Sequence, residues 1–262
     1  MSEIPKAELS RQEKFVITFV LVTDVVMIAV ILAMVVIGVF ELSIAGIVLL
    51  AMVPFAIVVP LVLTIIFKSQ AQKRYERAKE VHDFAEENGF EFTHVVQNIK
   101  DSLDNNVEFP KRHGFVRNRV DKEVSGGTFT MLDHQYTVGS QNNRRVIRES
   151  IGIYHSPGLN LPIFFMRPEQ FGDGVLKFFK GDDINFDDYP EFSKKYNLRG
   201  DDEASLRSFF KPELIESFQQ EDGVCAQSTG DTLVYYKHNT LVGKADMVQF
   251  MSRLAKLVGQ ML

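Results

Sequence analysis

The sequence predicts a membrane-anchored α+β protein: a two-helix transmembrane hairpin followed by a cytoplasmic domain with an antiparallel meander sheet and packed helices. Three observations lead there. The 262 residues are 45% hydrophobic and 24% charged, averages that suit a soluble protein, yet residues 15–67 hold about 43 of the roughly 118 apolar residues. Cations flank that block on both outer sides and are missing from its middle. Beyond residue 90 the pattern turns to short alternating segments and then to helical spacing. The single cysteine, Cys225, excludes a disulfide framework, and a net charge of −5 with a pI near 5.7 argues against a strongly basic nucleic-acid binder.

Residues 1–14 form a cytoplasmic tail, and residues 15–67 the hairpin, with spans at 15–40 and 44–67. Each span exceeds the ~20 apolar residues needed to cross ~30 Å of hydrocarbon. The first run is too long for a signal peptide and a second follows at once, so no cleavage is expected. Glu41-Leu42-Ser43 between them carries no Lys or Arg, whereas Lys6, Arg11 and Lys14 precede the first span and Lys68, Lys73, Arg74, Arg77 and Lys79 follow the second. That asymmetry places both termini in the cytoplasm. Asp24 is the one ionisable residue within the spans. Antiparallel alignment sets it near the depth of Val58 to Pro60. Pro60 cannot donate to the carbonyl of Ala56, and this freed acceptor suits a protonated Asp24. The expected role is structural, with a proton or ion site as the alternative.

Residues 68–89 read as a basic juxtamembrane helix continuing the second span. Gln70 to Asn88 lacks Pro and Gly, Gly89 supplies a C-cap, and Tyr75, Ala78, Val81, His82 and Ala85 mark one face. Lys73, Arg74 and Arg77 are placed to meet anionic lipid head groups or a partner. Residues 90–262 then form a cytoplasmic α+β domain, with two subdomains divided near Glu169 as the alternative. A short strand (FEFTHV) precedes a meander of four strands between Val116 and Arg167, ending in LPIFFMRP. Ile147, Ile151 and Ile153 alternate with polar or small residues, as a sheet with one buried face requires. A helix is expected over Gln170 to Phe179 and a short strand over Asp183 to Asp187. Asp201 or Asp202 caps a helix through Leu206 and Phe209, and Pro212 opens another. Val224 to Gln227 and Thr232 to Lys237 make a hairpin. The closing helix, Lys244 to Leu262, carries a stripe of Val248, Met251, Leu254, Ala255, Val258 and Met261.

The segment from Pro190, PEFSKKYNLRGDDEASLRSFFKPELIESF, resembles a pattern of bacterial membrane-anchored families of unknown function: a paired transmembrane helix, then a cytosolic domain with P-E-F, Tyr, G-x-D-E-A and a P-E-L helix. The upstream run DHQYTVGSQNNRRVIRESIGIY, followed by LNLPIFFMRPE, resembles the same families' tyrosine strand, polar loop and R-P-E motif. Here Tyr189 precedes the first Pro and Lys211 precedes Pro212, both departures from the pattern. The resemblance implies a multi-pass protein of the bacterial inner membrane and a shared fold; it carries no mechanism.

Motifs that bear chemistry are weak. Asp183, Asn185 and Asp187 have the spacing that opens a calcium loop, but Asp188 stands where the turn glycine belongs and Lys194 where the bidentate Glu belongs. The six histidines are scattered without ligand spacing. Asp133, His134 and Ser140 have a triad's composition, yet adjacent strand residues point to opposite faces. Gly172-Asp173-Gly174 is no dinucleotide fingerprint. No cofactor, metal or catalytic residue is therefore assigned. Residues 110–150 are net basic, with Arg144 and Arg145 as a contact for lipid or a protein partner, while 182–203 is acidic. The function expected is a non-enzymatic, membrane-tethered interaction or regulatory module with the bilayer as one partner and no nucleic acid. The alternatives are an enzyme with an unrecognised site and a subunit of an oligomeric transporter using Asp24.

Overall fold

The structure, a computed structural model, describes residues 4, 6–38, 42–96, 114–140, 143–169 and 183–262. The chain divides into two compact units, Ile4–Lys79 and Glu80–Leu262. The first contains α1 (Arg11–Val36) and most of α2 (Leu42–Asn88), whose last turns belong to the second. Ser10 and Glu13 close a capping box at the start of α1, each side chain taking a backbone N–H that the first turn leaves without a partner. Two helices are long and apolar enough to cross a membrane. Proline at position 60 does not interrupt α2, which runs through it, and Thr64 Oγ1 donates to the Pro60 carbonyl at 2.7 Å.

In the second unit the described strands form one antiparallel sheet of eight: β1 (Glu91–Val96), β2 (Phe115–Val124), β3 (Gly127–Val138), β4 (Arg145–His155), β5 (Phe164–Pro168), β6 (Tyr196–Gly200), β7 (Val224–Ser228) and β8 (Thr232–Lys237). Their order is β1-β2-β3-β4-β8-β7-β5-β6. This corrects the four-strand meander. Strands β2 to β4 do run as consecutive antiparallel neighbours, but LPIFFMRP does not join β4; the β7–β8 hairpin separates them. The loop between β4 and β5 is held to that hairpin's turn, with Ser156 N–H donating to Asp231 O and Leu161 N–H to Gly230 O, both at 2.9 Å. The sheet takes strands from both sides of Glu169.

Asp183 to Asp187 is irregular chain and not a strand. The strand lies further on, at Tyr196–Gly200, and Ile184 N–H reaches it by donating to Leu198 O at 2.8 Å. The helix expected over Gln170 to Phe179 lies outside the described residues. Pro190–Lys195 forms α3; Glu203–Phe209 forms α4, capped by Asp202, whose Oδ1 takes the Ser205 N–H; Pro212–Gln219 forms α5, with Pro in its first turn.

The helices pack on one face of the sheet. Phe92 of β1 meets His82 of α2 edge-on, Phe164 of β5 meets Phe210 after α4, and Tyr196 meets Phe218 of α5. The closing helix α6 (Met247–Met261) buries Met247, Phe250, Met251, Leu254, Leu257 and Val258. Met251, Leu254 and Val258 of the expected stripe are buried, but Val248 and Ala255 face outward and Met247, Phe250 and Leu257 complete the contact face. The reason is in β4. A Cβ on Gly152 would stand 3.0 Å from the Phe250 ring and 3.1 Å from Leu254, so the helix comes to rest over the one position of β4 with no side chain. Replacing Gly152 with Val should lift α6 from the sheet and cost about 1–3 kcal/mol, as overpacking does. The loss is read from urea or thermal unfolding of the full chain in detergent.

Candidate functional site

The opposite face of the sheet holds the candidate site. Register and strand alternation line up Val116, Leu132, Ile151, Ile153, Cys225, Val234 and Tyr236 as a buried apolar cluster there. Two polar groups border it. One is centred on Glu149, fully buried in the middle of β4. His134 Nδ1 and His238 Nδ1 each lie 3.5 Å from one of its oxygens, and the Asn239 N–H donates to Oε2 at 3.3 Å. His134 stacks on Tyr136 with ring centres 4.9 Å apart. Burial pushes the Glu149 pKa up, but the bonds from His134, His238 and the Asn239 amide outweigh it and hold the carboxyl below its usual range.

The other border lies on β6, β5 and β7. Pairing sets Phe165 opposite Gln227 and Arg199, and Arg167 opposite Asn197, so these five side chains share the face. Arg199 Nε donates to Asn197 Oδ1 at 3.0 Å. Arg167 and Gln227 are 4% and 2% exposed. Two residues before Gln227 on β7, burial pushes the Cys225 thiol up to about 12, so it remains a neutral SH.

The helix-covered face has its own buried carboxylate. Asp133 accepts from Asn118 Nδ2 at 3.0 Å and from Ser150 Oγ at 2.8 Å, while Ser150 Oγ accepts from the Val242 N–H at 3.0 Å. Asn118 reaches it from a bulge in β2, at φ 51. Asp133 and His134 thus serve opposite faces, and Ser140 is exposed beyond the end of β3, so the three residues form no triad. Asp183 Oδ1 accepts from the Leu198 N–H at 2.9 Å, which makes it a strand-edge residue; Asn185 is exposed. Among the described residues no group of three or more His, Cys, Asp or Glu is arranged to hold a metal.

The residues singled out in the sequence are spread along the chain. Asp24 Oδ2 is shielded from solvent and has no hydrogen-bond partner. Arg74 makes two 3.0 Å bonds to the carboxylate of Glu13, the residue that also caps α1. Lys73 is exposed and Arg77 half-buried. Arg144 and Arg145 are exposed where β4 begins. The Glu149 group and the Arg167–Gln227 pair were missed, because their members come from strands far apart in sequence. One signal was present: Arg167 is the only charged residue in the apolar run LPIFFMRP.

Changing Glu149 to Gln should destabilise the full chain by about 1–3 kcal/mol near neutral pH. Because the folded pKa is depressed, the wild-type advantage is complete above the unfolded value near 4.5 and is lost as pH falls through the folded pKa. Unfolding midpoints of the two proteins against pH should therefore converge in acid; a gap that stays constant below pH 4 assigns Glu149 no ionised role.

No family model matches the chain, and no curated protein matches it. Among solved structures it is similar to the crystal structure of the mycobacterial trehalose monomycolate transport factor A, TtfA, with a TM-score of 0.49 and 7% sequence identity, over 71% of this chain and 96% of that chain.

Proposed function

We propose that the chain is a membrane-tethered cytoplasmic interaction or regulatory module with no catalysis of its own: a multi-pass protein of the bacterial inner membrane, both termini in the cytoplasm, grouped with the anchored families it resembles. The observation that carries this reading is α1, which has no buried residue. Phe15, Phe19 and Val25 are 67%, 58% and 66% exposed, an apolar surface that soluble monomers do not display and that lipid satisfies. The domain supports the non-catalytic half. Its buried carboxylates are occupied in holding neighbouring strands, and its cysteine is a buried neutral thiol. The exposed cations Arg144 and Arg145 offer a contact for an acidic partner surface or anionic head groups.

A second reading, a subunit of an oligomeric transporter, is supported by the unmatched Oδ2 of Asp24, since intramembrane carboxylates mark ion paths. One experiment separates the two. The chain should stay in the membrane pellet after carbonate extraction, and crosslinking in cells should capture a partner that Arg144→Glu with Arg145→Glu loses at least tenfold, while Asp24→Asn leaves capture unchanged. Complexes that contain only this chain, together with an ion flux abolished by Asp24→Asn, replace the first reading with the second.

A further inference from the structure

Arg167 is a buried cation that nothing in the described chain answers. Its Nε and Nη1 are shielded from solvent and have no hydrogen-bond partner, and no ion pair involving it is present among the described residues. On the neighbouring strand Gln227 is in the same state: Oε1 and Nε2 are both shielded and both unmatched. The Phe165–Gln227 pairing makes the two side chains diagonal neighbours on one face, about 7–8 Å apart at the backbone, so one small group can touch both. Asn197 and Arg199 adjoin them on β6.

The energetic argument is direct. A buried donor left unmatched costs about 1–3 kcal/mol, and an unpaired buried charge costs more. Here four unmatched atoms sit on diagonal neighbours of one face, while Glu149 and Asp121 on the same face are already engaged, Glu149 by His134, His238 and Asn239 and Asp121 by Arg119 and Thr130. The Cys225 thiol beside Arg167 carries no charge. A purely structural arginine in a strand core is instead expected to find a carboxylate or a row of carbonyls.

We propose that Arg167 and Gln227 form a binding site for an anionic group of the carboxylate or phosphate class, with Arg167 donating to its oxygens, Gln227 Nε2 adding a donor, and Gln227 Oε1 accepting from a hydroxyl carried beside the anion. A hydroxylated anion of this kind occurs both as a free solute and as a lipid head group. The site stands on its own geometry and is independent of membrane tethering and of the Arg144–Arg145 contact.

The test uses the full chain in a non-ionic detergent, titrated with inorganic phosphate, glycerol 3-phosphate and lactate, and separately with micelles containing phosphatidic acid. At least one probe should raise the unfolding midpoint saturably, glycerol 3-phosphate more than phosphate because it brings a hydroxyl. A response confined to the phosphatidic acid micelles assigns a lipid source; a response to the solutes assigns a soluble one. Arg167→Met should weaken the effective probe at least tenfold and Gln227→Leu several-fold, while Arg148→Met, at an exposed position, should leave it unchanged. Arg167→Lys, which keeps the charge, covers the case in which the Met variant fails to fold, and should bind more weakly than wild type. Native mass spectrometry of the purified chain reads any anion retained from the cell. A protein that retains no anion and whose midpoint no probe raises overturns the proposal, as does equal binding by wild type and both Arg167 variants.

Discussion

Two carboxylates buried on opposite faces of adjacent strands govern how the domain is closed. A carboxylate out of water must be met by donors, and the chain after β8 supports both of these, Glu149 directly and Asp133 through Ser150. Asn239 and His238 reach Glu149, and the Val242 N–H reaches Ser150, which in turn holds Asp133. Backbone bonds add to this: Ser150 N–H donates to Thr240 O, and Arg148 N–H to Asn239 Oδ1. The 238–242 segment is thereby fastened along β4 although it is no longer a strand. That course delivers α6 to the Gly152 position, where it covers the sheet. The C-terminal helix therefore depends on polar groups placed at the centre of the domain.

Much of this architecture was legible in the sequence. Periodicity and caps located both apolar helices, β2 to β4, the β7–β8 hairpin, and the helices beginning at Glu203 and Pro212, because each depends on neighbours within a few residues. Sheet order did not follow. LPIFFMRP reads as the next strand of a meander, and nothing local in it says that a hairpin some 60 residues later will pair in between. β6 was hidden for a different reason: Tyr196, Leu198 and Gly200 have the period of a strand, but the segment is short and follows directly on a helix. Spacing located half of the α6 stripe, Met251, Leu254 and Val258; the rest lies elsewhere because the missing Cβ at Gly152 brings Phe250 onto β4 beside Leu254. Sites fared worst, since His134, Glu149 and His238 lie on or beside three strands and meet only through register.

The two sheet faces divide labour. On one, helices cover the strand aromatics Phe92, Phe164, Tyr196 and Tyr235, and the Asp133 carboxylate is held there by Asn118 and Ser150. The other carries an apolar centre between an anionic group at Glu149 and a cationic one at Arg167. Such a gradient across a buried surface orients whatever dipole or charge enters it. Charge in the sequence as a whole, −5, gives no hint of this, because the opposing groups are few and enclosed.

The edge of the sheet at β6 shows what became of the acidic stretch that resembled a calcium loop. An outermost strand presents free amides and carbonyls, a template on which a second chain can assemble. Here Asp183 takes the Leu198 N–H and Ile184 gives its own to the Leu198 carbonyl, so the middle of the strand is already spoken for. The stretch that failed as a metal motif thus occupies a docking position: one carboxylate and one amide take up the Leu198 groups that an added strand would need.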